Sequence, residues 1–340
     1  MNMSNILVAT LGTSPGVVTE AMDLLIEQGC QPDGVILLKT QHDRVSQSYD
    51  LLLEHIPPYY EYEKNWIVPV DIESEGEDVD TPEAVKEFMQ KACLVLKSHR
   101  KIGNKCFVCI AGGRKTMSAL MALAVQFYGA ERLFHIWVPG WIEEKGGIQK
   151  IRNLDDEEKT EWLHPNKFIS KEEDRPKIVD LQFLGIFPLL PKIVAALKGE
   201  PSDSDTRAIL VSNGFLDARG KASELGQHFI KTFESIEHLP PMRREKCIIQ
   251  ISDRNKYKDW IKKLAQRLEI KFGFIEKIED IDWKQTETKV VSVPPDKLNI
   301  MWIEGKSVKI GLQLATTSTT EGELKAVRKV VEEYISKILY

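Results

Sequence analysis

The N-terminal part of the chain alternates between short apolar runs and longer amphipathic stretches. Continuous apolar runs are typical of strands buried on both faces of a parallel sheet, and they lie at residues 5–11, 34–40, 66–70, 106–110 and 132–138. The stretches between them repeat with the period of a helix and lie at residues 17–28, 41–55, 81–100 and 118–128. This order predicts repeated β-α-β units and a Rossmann-like α/β fold with a doubly wound parallel sheet.

Capping residues support two of these helices. Ser14 is a predicted N-cap, with Pro15 at the first helical position and Gly29 after the last turn. Thr81 followed by Pro82 predicts a second helix start of the same kind.

The pattern changes beyond the predicted sheet. Residues 155–174 are charged and poor in apolar positions, which predicts a linker or an exposed hairpin anchored by Trp162. Residues 181–197 carry an apolar helical pattern that Pro188 and Pro191 interrupt.

A short helical element, a turn and a longer helical pattern at residues 208–233 resemble a winged helix. Such a module can bind DNA, or it can serve as a packing or dimerising spacer. The segment has no basic recognition helix, which favours the spacer.

The last part of the chain predicts a small α+β domain. Strands are expected at residues 247–251, 271–276, 289–293, 299–303 and 308–314, and helices at 256–268 and 323–339. The chain as a whole then divides into three predicted domains, at 1–154, 176–240 and 246–340.

Composition narrows the class of protein. The sequence has no apolar run of eighteen residues, so we expect no membrane span. The polar first residues predict no secretory signal, and five cysteines, an odd number, favour free thiols in a reducing cytoplasm. Cys106 and Cys109 form a C-x-x-C on a predicted core strand, which favours packing over redox or metal chemistry.

Charge is unevenly distributed along the chain. The net charge is -5, but residues 246–340 carry +4 and the remainder carries -9. A basic C-terminal segment favours a module that faces nucleic acid, and a mixed, solvated surface is the alternative.

Three polar or glycine-rich loops follow predicted strands, at residues 11–16, 40–44 and 111–118. Ligands of such sheets bind at the carboxyl ends of the strands. In the third loop, a glycine turn leads into a helix N-terminus that carries two cations. This pattern predicts a phosphate site, although the spacing of a Walker loop is absent. The predicted ligand-binding residues are Gly12, Thr13, Ser14, Thr40, Gln41, Gly112, Gly113, Arg114, Lys115 and Thr116.

The segments VATLGTSPGVVTEA (8–21) and CIAGGRKTMSALMALA (109–124) resemble the CRISPR-associated Rossmann fold (CARF) family of type III CRISPR systems, especially its ring-nuclease or NE-type branch. The resemblance implies a homodimer whose loops bind a cyclic oligoadenylate of four or six units as activating ligand, with no other cofactor. Some relatives cleave the ring. In that case Arg114 or Lys115 would stabilise charge, and Ser14 or Thr13 would orient the 2′-hydroxyl.

Family members often join such a sensor to an effector. A HEPN ribonuclease is excluded for residues 246–340, because the last histidine of the chain is His238. A PD-(D/E)xK nuclease is disfavoured, because Asp280 and Asp282 lie too close to the Glu287-x-Lys289 pair to occupy a preceding strand. A RelE-like ribonuclease remains, with an acid–base and charge-stabilising pool of Lys256, Tyr257, Lys262, Arg267, Lys309 and Arg328. An unassigned nuclease or RNA binder and a non-catalytic dimerisation module stay open.

The sequence therefore predicts a cytoplasmic CRISPR accessory protein in which a bound cyclic oligoadenylate activates a metal-independent C-terminal ribonuclease. Its expected partners are RNA, either free or on the ribosome, and a second copy of the chain. Two other functions stay open: a stand-alone ring nuclease that ends signalling, and a ligand-controlled DNA-binding regulator.

Overall fold

The computed structural model describes residues 3–62, 66–74, 78–243, 245–253, 255, 257–282, 288–304 and 308–338. The chain forms two compact units, Met1–Ile230 and Lys231–Tyr340. The finer division into three domains stays a prediction. Among the described residues, no helix is both long enough and apolar enough to cross a membrane.

The first unit is built on a six-stranded sheet. Its strands are β1 (Asn5–Leu11), β2 (Gly34–Thr40), β3 (Ile67–Ile72), β4 (Lys105–Cys109), β5 (Arg132–Trp137) and β6 (Lys177–Asp180). They lie in the order β3-β2-β1-β4-β5-β6, and all neighbours are parallel except β5 and β6. The predicted doubly wound parallel sheet is confirmed. The sequence pattern missed β6, because it is a short edge strand with a charged residue at each end.

Helices connect the strands as predicted. They are α1 (Gly16–Glu27), α2 (Asp43–Tyr60), α3 (Pro82–Lys101) and α4 (Lys115–Tyr128). Thr81 caps α3 by accepting a hydrogen bond from the Ala84 amide at 3.1 Å. The apolar residues of β1, β4 and β5 that point toward α1 share one core with it.

Two helix boundaries differ from the prediction. Pro15, not Ser14, is the N-cap of α1, so the helix begins at Gly16 and the Ser14 side chain makes no capping hydrogen bond. Helix α2 does not end near residue 55 but continues to Tyr60 with Pro57 inside it, because Ile56 and Pro57 are buried on its inner face.

The charged segment at residues 155–174 is neither a linker nor an exposed hairpin, so that prediction was wrong. After the short helices α5 (Gly140–Lys145) and α6 (Ile148–Ile151), it forms α7 (Asp156–Leu163) and α8 (Pro165–Phe168). Leu163 is fully buried in a small core with Ile148 and Ile151. Trp162 packs against this core, which confirms its predicted role as an anchor.

The remainder of the first unit is helical. It contains α9 (Leu190–Leu197) and α10 (Ser204–Ser212), and an antiparallel bridge joins Leu216 to Ala222. Helix α11 (Glu224–Glu237) begins in this unit and continues past its last residue, Ile230. The predicted apolar helix at 181–197 begins only at residue 190, because Pro191 occupies its first turn. The winged-helix description stays a prediction, and α11 carries one lysine against three glutamates.

The second unit is the predicted small α+β domain. Its strands are β7 (Ile248–Gln250), β8 (Ile275–Asp280), β9 (Lys289–Val293), β10 (Lys297–Glu304) and β11 (Val308–Thr316), in the order β7-β8-β11-β10-β9. Its helices are α12 (Lys258–Lys271) and α13 (Glu321–Ile338). The strand predicted at 271–276 is shifted to β8, because the apolar face of α12 continues through the buried Leu268.

All five cysteines are free thiols. Cys106 and Cys109 are buried on β4, and burial raises the pKa of both thiols to about 12. Buried, protonated thiols are unreactive, which agrees with the predicted packing role.

Candidate functional site

The two glycine loops meet backbone to backbone at the carboxyl ends of β1 and β4. A Cβ placed on Gly12 would lie 2.9 Å from both the Cα and the amide nitrogen of Gly113. A Cβ on Gly112 would lie 2.0 Å from the Thr10 carbonyl oxygen. The Thr10 hydroxyl donates a hydrogen bond of 2.5 Å to the Gly112 carbonyl. Any larger side chain at these glycines would separate the loops.

A cavity of about 380 Å³ opens where the loops meet. Both loops contribute to its wall, together with the ends of β5, α1 and α5 and the aromatic ring of Trp162. The lining residues are Gly12, Thr13, Ser14, Gly16, Val17, Glu20, Val45, Ala111, Gly112, Gly113, Arg114, His135, Ile136, Trp137, Val138, Ile142, Glu143, Gly146 and Trp162.

The first turn of α4 gives this edge of the sheet a positive character. Arg114 occupies the N-cap position and Lys115 is the first helical residue. The first amides of a helix have no partner within it and attract anions. The Ser118 hydroxyl donates to the Ile110 carbonyl at 2.8 Å, which fixes the end of the strand to this turn.

The structure brings together most of the predicted ligand-binding residues, but not all. Six of the ten line the cavity: Gly12, Thr13, Ser14, Gly112, Gly113 and Arg114. The other four are not among its lining residues. Thr40 is fully buried, and Gln41 and Lys115 are exposed. The Thr116 hydroxyl donates to Asp78 at 3.3 Å.

Several polar residues of the cavity were missed by the sequence analysis. His135 lies in an apolar run of the sequence. It is exposed because successive side chains of β5 point to opposite faces of the sheet. Glu143 lies on the short helix α5, which the sequence did not predict. Glu20 lies in a predicted helix that also contains Asp23 and Glu27, so its acidic character alone did not single it out.

Glu20 is buried in the cavity wall with only 2% of its surface exposed. Burial of its carboxyl, and secondly repulsion from Asp23, raise its pKa to about 8. At neutral pH this group is therefore mainly the uncharged acid.

A buried polar cluster adjoins Glu20 along α1. The Asp23 carboxylate accepts from Tyr60 at 2.7 Å and from Nδ1 of His164 at 2.7 Å. With that proton directed at Asp23, Nε2 of His164 accepts from Nε2 of His55 at 2.9 Å. Burial, followed by the neighbouring His164, lowers the pKa of His55 to about 4, so His55 is neutral at physiological pH. The cluster joins α1, α2 and the start of α8.

The predicted ribonuclease residues lie in the second unit. Lys262 and Arg267 are exposed on α12, and Tyr257 is half-buried just before it. Arg328 lies on α13, where it pairs with Glu332 at 2.9 Å. Lys256 and Glu287, and the side chain of Lys309, lie outside the described residues.

Among the residues that the structure describes, no group of three or more His, Cys, Asp or Glu is placed to hold a metal ion. The features that can hold an anionic ligand include the backbone amides, hydroxyls and cations of the two loops.

A parallel sheet with two glycine loops and a helix N-terminus at its carboxyl edge is the arrangement that α/β proteins use for phosphate ligands. The family model described as CRISPR-associated protein NE0113 matches residues 14–214 of this chain. Those residues include the second glycine loop, the first loop from Ser14 onward, and every lining residue of the cavity except Gly12 and Thr13.

Two known proteins are similar to this chain. The CRISPR system ring nuclease SSO2081 of Saccharolobus solfataricus is 31% identical over 132 residues, which cover 37% of this chain and 67% of that protein. The structure of Enterococcus italicus Csm6 bound to cyclic hexa-2'-fluoro-hexa-dAMP is 16% identical, with a TM-score of 0.34. That match covers 69% of this chain and 53% of Csm6, so the chain spans about half the length of Csm6.

The chain belongs to the CRISPR-associated NE0113 family, because that family's model matches more than half of it. The resemblance of the two loops to CARF proteins of type III CRISPR systems is confirmed. The whole of the second unit lies outside the matched residues.

Proposed function

We propose that this protein binds a cyclic oligoadenylate in the cavity between its two glycine loops and cleaves the ring. The observation that carries the proposal is the backbone contact of the loops, which places Ser14 and Arg114 in one cavity wall beside the N-terminus of α4. Backbone amides and guanidinium groups are good partners for phosphodiesters. The similarity to a CRISPR ring nuclease supports cleavage in addition to binding.

The size of the cavity favours a second copy of the chain. At about 380 Å³ it is near the lower limit of pockets that enclose one small molecule. One cavity can therefore hold only part of a ring of four or six nucleotides. A two-fold dimer presents each loop twice and matches the symmetry of a ring.

An apolar face beside the cavity is suited to that dimer. Trp137 on β5 and Val179 on β6 are each 44% exposed, as is Leu123 on α4. Val179 pairs with His135, so Val179 lies on the same side of the sheet as His135 and Trp137. Apolar side chains exposed together on one side mark interaction surfaces, and we assign this one to the second copy.

Cleavage would follow the chemistry of RNA self-cleavage. The 2′-oxygen forms a bond to the adjacent phosphorus while the bond from phosphorus to the 5′-oxygen breaks, giving a 2′,3′-cyclic phosphate and a 5′-hydroxyl. The 2′-hydroxyl loses its proton to water, and the leaving 5′-oxygen takes a proton from water. Ser14 or Thr13 would orient the 2′-hydroxyl, and Arg114 or Lys115 would stabilise the charge on the phosphate oxygens.

A second candidate function is an RNA-directed role for the second unit. The observation that favours it is the exposed basic face of α12, which presents Lys262, Lys263 and Arg267. Such a face can contact an RNA backbone. In this proposal the bound ring activates the cleavage of RNA, either of free RNA or of messenger RNA on the ribosome.

The test is to incubate the full-length protein with cyclic tetra-adenylate or cyclic hexa-adenylate, together with cellular RNA and ribosomes. We expect the ring to be converted to products ending in a 2′,3′-cyclic phosphate, with the same rate in EDTA. Ser14→Ala should slow cleavage by about a hundredfold with little loss of binding. Lys115→Ala should slow cleavage and also weaken ring binding.

Lys86→Ala is the matched control, because Lys86 is exposed on α3 and is not among the lining residues of the cavity. An intact ring after prolonged incubation with excess protein would overturn the cleavage proposal, and absence of ring binding would overturn the whole proposal. RNA cleaved only when a ring is present would establish the second function.

A further inference from the structure

The cavity contains one acidic group with an unusual environment. Glu20 lies one turn into α1, and its Oε1 is 3.5 Å from the position that a Cβ on Gly16 would take. Within the described residues, its buried Oε2 has no hydrogen-bond partner. A buried carboxyl oxygen without a partner is costly unless a ligand or water supplies one.

Asp23 provides the contrast on the same helix. Its two oxygens accept hydrogen bonds from Tyr60 and His164. Among the described residues, no such donor reaches Oε2 of Glu20. The titratable or charged groups that face it are Asp23, Cys109 of β4, and Arg114, His135 and Glu143 in the cavity wall.

An uncharged carboxyl presents one hydrogen-bond donor and one acceptor side by side. A phosphodiester offers acceptors only, so it would leave the carbonyl oxygen of the acid unpaired. The N6 and N7 edge of adenine offers one donor and one acceptor in the complementary order. The surrounding Val17, Ile136 and Trp162 form an apolar wall that suits the flat face of a base.

We infer that Glu20, as the uncharged acid, binds the N6 and N7 edge of one adenine of the ligand and selects adenine at this position. The inference rests on the proposed function, since it names a base-recognition residue of the same cavity. The phosphates lie on the loop side in this arrangement, and the base enters between α1 and β5.

Two consequences distinguish this role from a structural one. Ionised Glu20 would face the N7 lone pair with negative charge, so binding should weaken as the carboxyl loses its proton. The pKa of Glu20 is raised to about 8, so affinity should be constant near neutral pH and fall above pH 8. Hypoxanthine replaces the N6 donor with an acceptor, so an inosine ring should bind poorly at any pH.

The experiment measures the affinity of the full-length protein for cyclic tetra-adenylate or hexa-adenylate, whichever binds, at about pH 7, 8 and 9. For the wild type we expect a loss of about tenfold between pH 7 and pH 9. Glu20→Gln keeps a donor and an acceptor but has no proton to lose, so it should bind well at all three values. Glu20→Leu should lose tenfold or more already at pH 7.

Glu143→Gln is the matched control, because Glu143 is an exposed carboxyl of the same cavity. This variant should retain the alkaline loss of affinity. Thermal unfolding at each pH shows whether the variants are folded, and Glu20→Gln keeps the test decisive if Glu20→Leu does not fold.

Two results would overturn the inference while leaving ring binding intact. One is an alkaline loss of affinity that persists in Glu20→Gln. The other is a cyclic tetra-inosinate that binds as tightly as the adenine ring. Absence of ring binding at every pH would instead overturn the proposed function.

Discussion

At the scale of single residues, the loops of the cavity meet because they carry glycine. Gly112 does not need a left-handed backbone, but a Cβ there would overlap the Thr10 carbonyl. Gly113 needs to be glycine for two reasons. Its backbone is left-handed, with φ of 74°, and the Met117 sulfur lies 2.9 Å from the position that a Cβ would take. The residue types in this loop are therefore set by the approach of one backbone to another.

Gly112→Ala should destabilise the protein by about 2–3 kcal/mol, because the backbone of one loop must move away from the other. Ring binding should weaken in parallel, since both loops line the cavity. Urea unfolding and ligand titration measure the two effects.

Gly185→Ala is the control for this substitution. Nothing lies within 4 Å of the Cβ position on Gly185, so its stability should stay within about 0.5 kcal/mol of the wild type. Equal stability of the two variants would contradict the close approach of the loops.

At the scale of elements, the start of α8 is held by one buried histidine. His164 is fully buried and connects Asp23 of α1 to His55 of α2. Its ring also stacks on Tyr59, with 3.7 Å between the ring centroids. These contacts explain why a charged segment folds against the sheet domain.

His164→Ala should lower the free energy of unfolding by about 2–4 kcal/mol, since it leaves Asp23 and His55 with unpaired buried groups. Urea denaturation at neutral pH measures the loss. His238→Ala replaces an exposed histidine and should change stability by less than about 0.5 kcal/mol. A similar small change in both variants would show that the cluster does not hold this segment.

At the scale of the whole molecule, the chain combines a first unit that contains the family-matched residues with a second α+β unit that has its own sheet. The proposed ring binding needs two copies of the first unit. The proposed interface for that association is the apolar face that includes Leu123 and Val179.

Leu123→Glu should convert a dimer to a monomer, because a charge replaces an exposed leucine on the proposed interface. Sedimentation at micromolar concentration, with and without the ring, measures the mass. Ile209→Glu places the same charge on an exposed residue of α10 and should leave the dimer intact. A wild-type protein that sediments as a monomer with the ring bound would refute the dimer.

The sequence by itself determined the sheet, its main helices and the two loops. Five apolar runs in a β-α order allow only a small set of topologies, and a glycine turn with two cations is a local pattern. For the same reason the sequence was sufficient for the resemblance to the CARF family. It was not sufficient for the fold of residues 155–174. The charged composition of this segment predicts exposure, whereas the contacts of the fully buried His164 hold it in the first unit.

Tertiary structure alone decided which polar side chains enter the cavity. Glu20 and His135 come from different elements, and no local pattern relates a residue of α1 to one of β5. Burial then changes the chemistry, because the low-dielectric surroundings of Glu20 keep its carboxyl protonated near neutral pH. The sequence thus located the edge of the sheet where the two glycine loops meet, and the packing of α1 against the sheet placed an uncharged acid beside it.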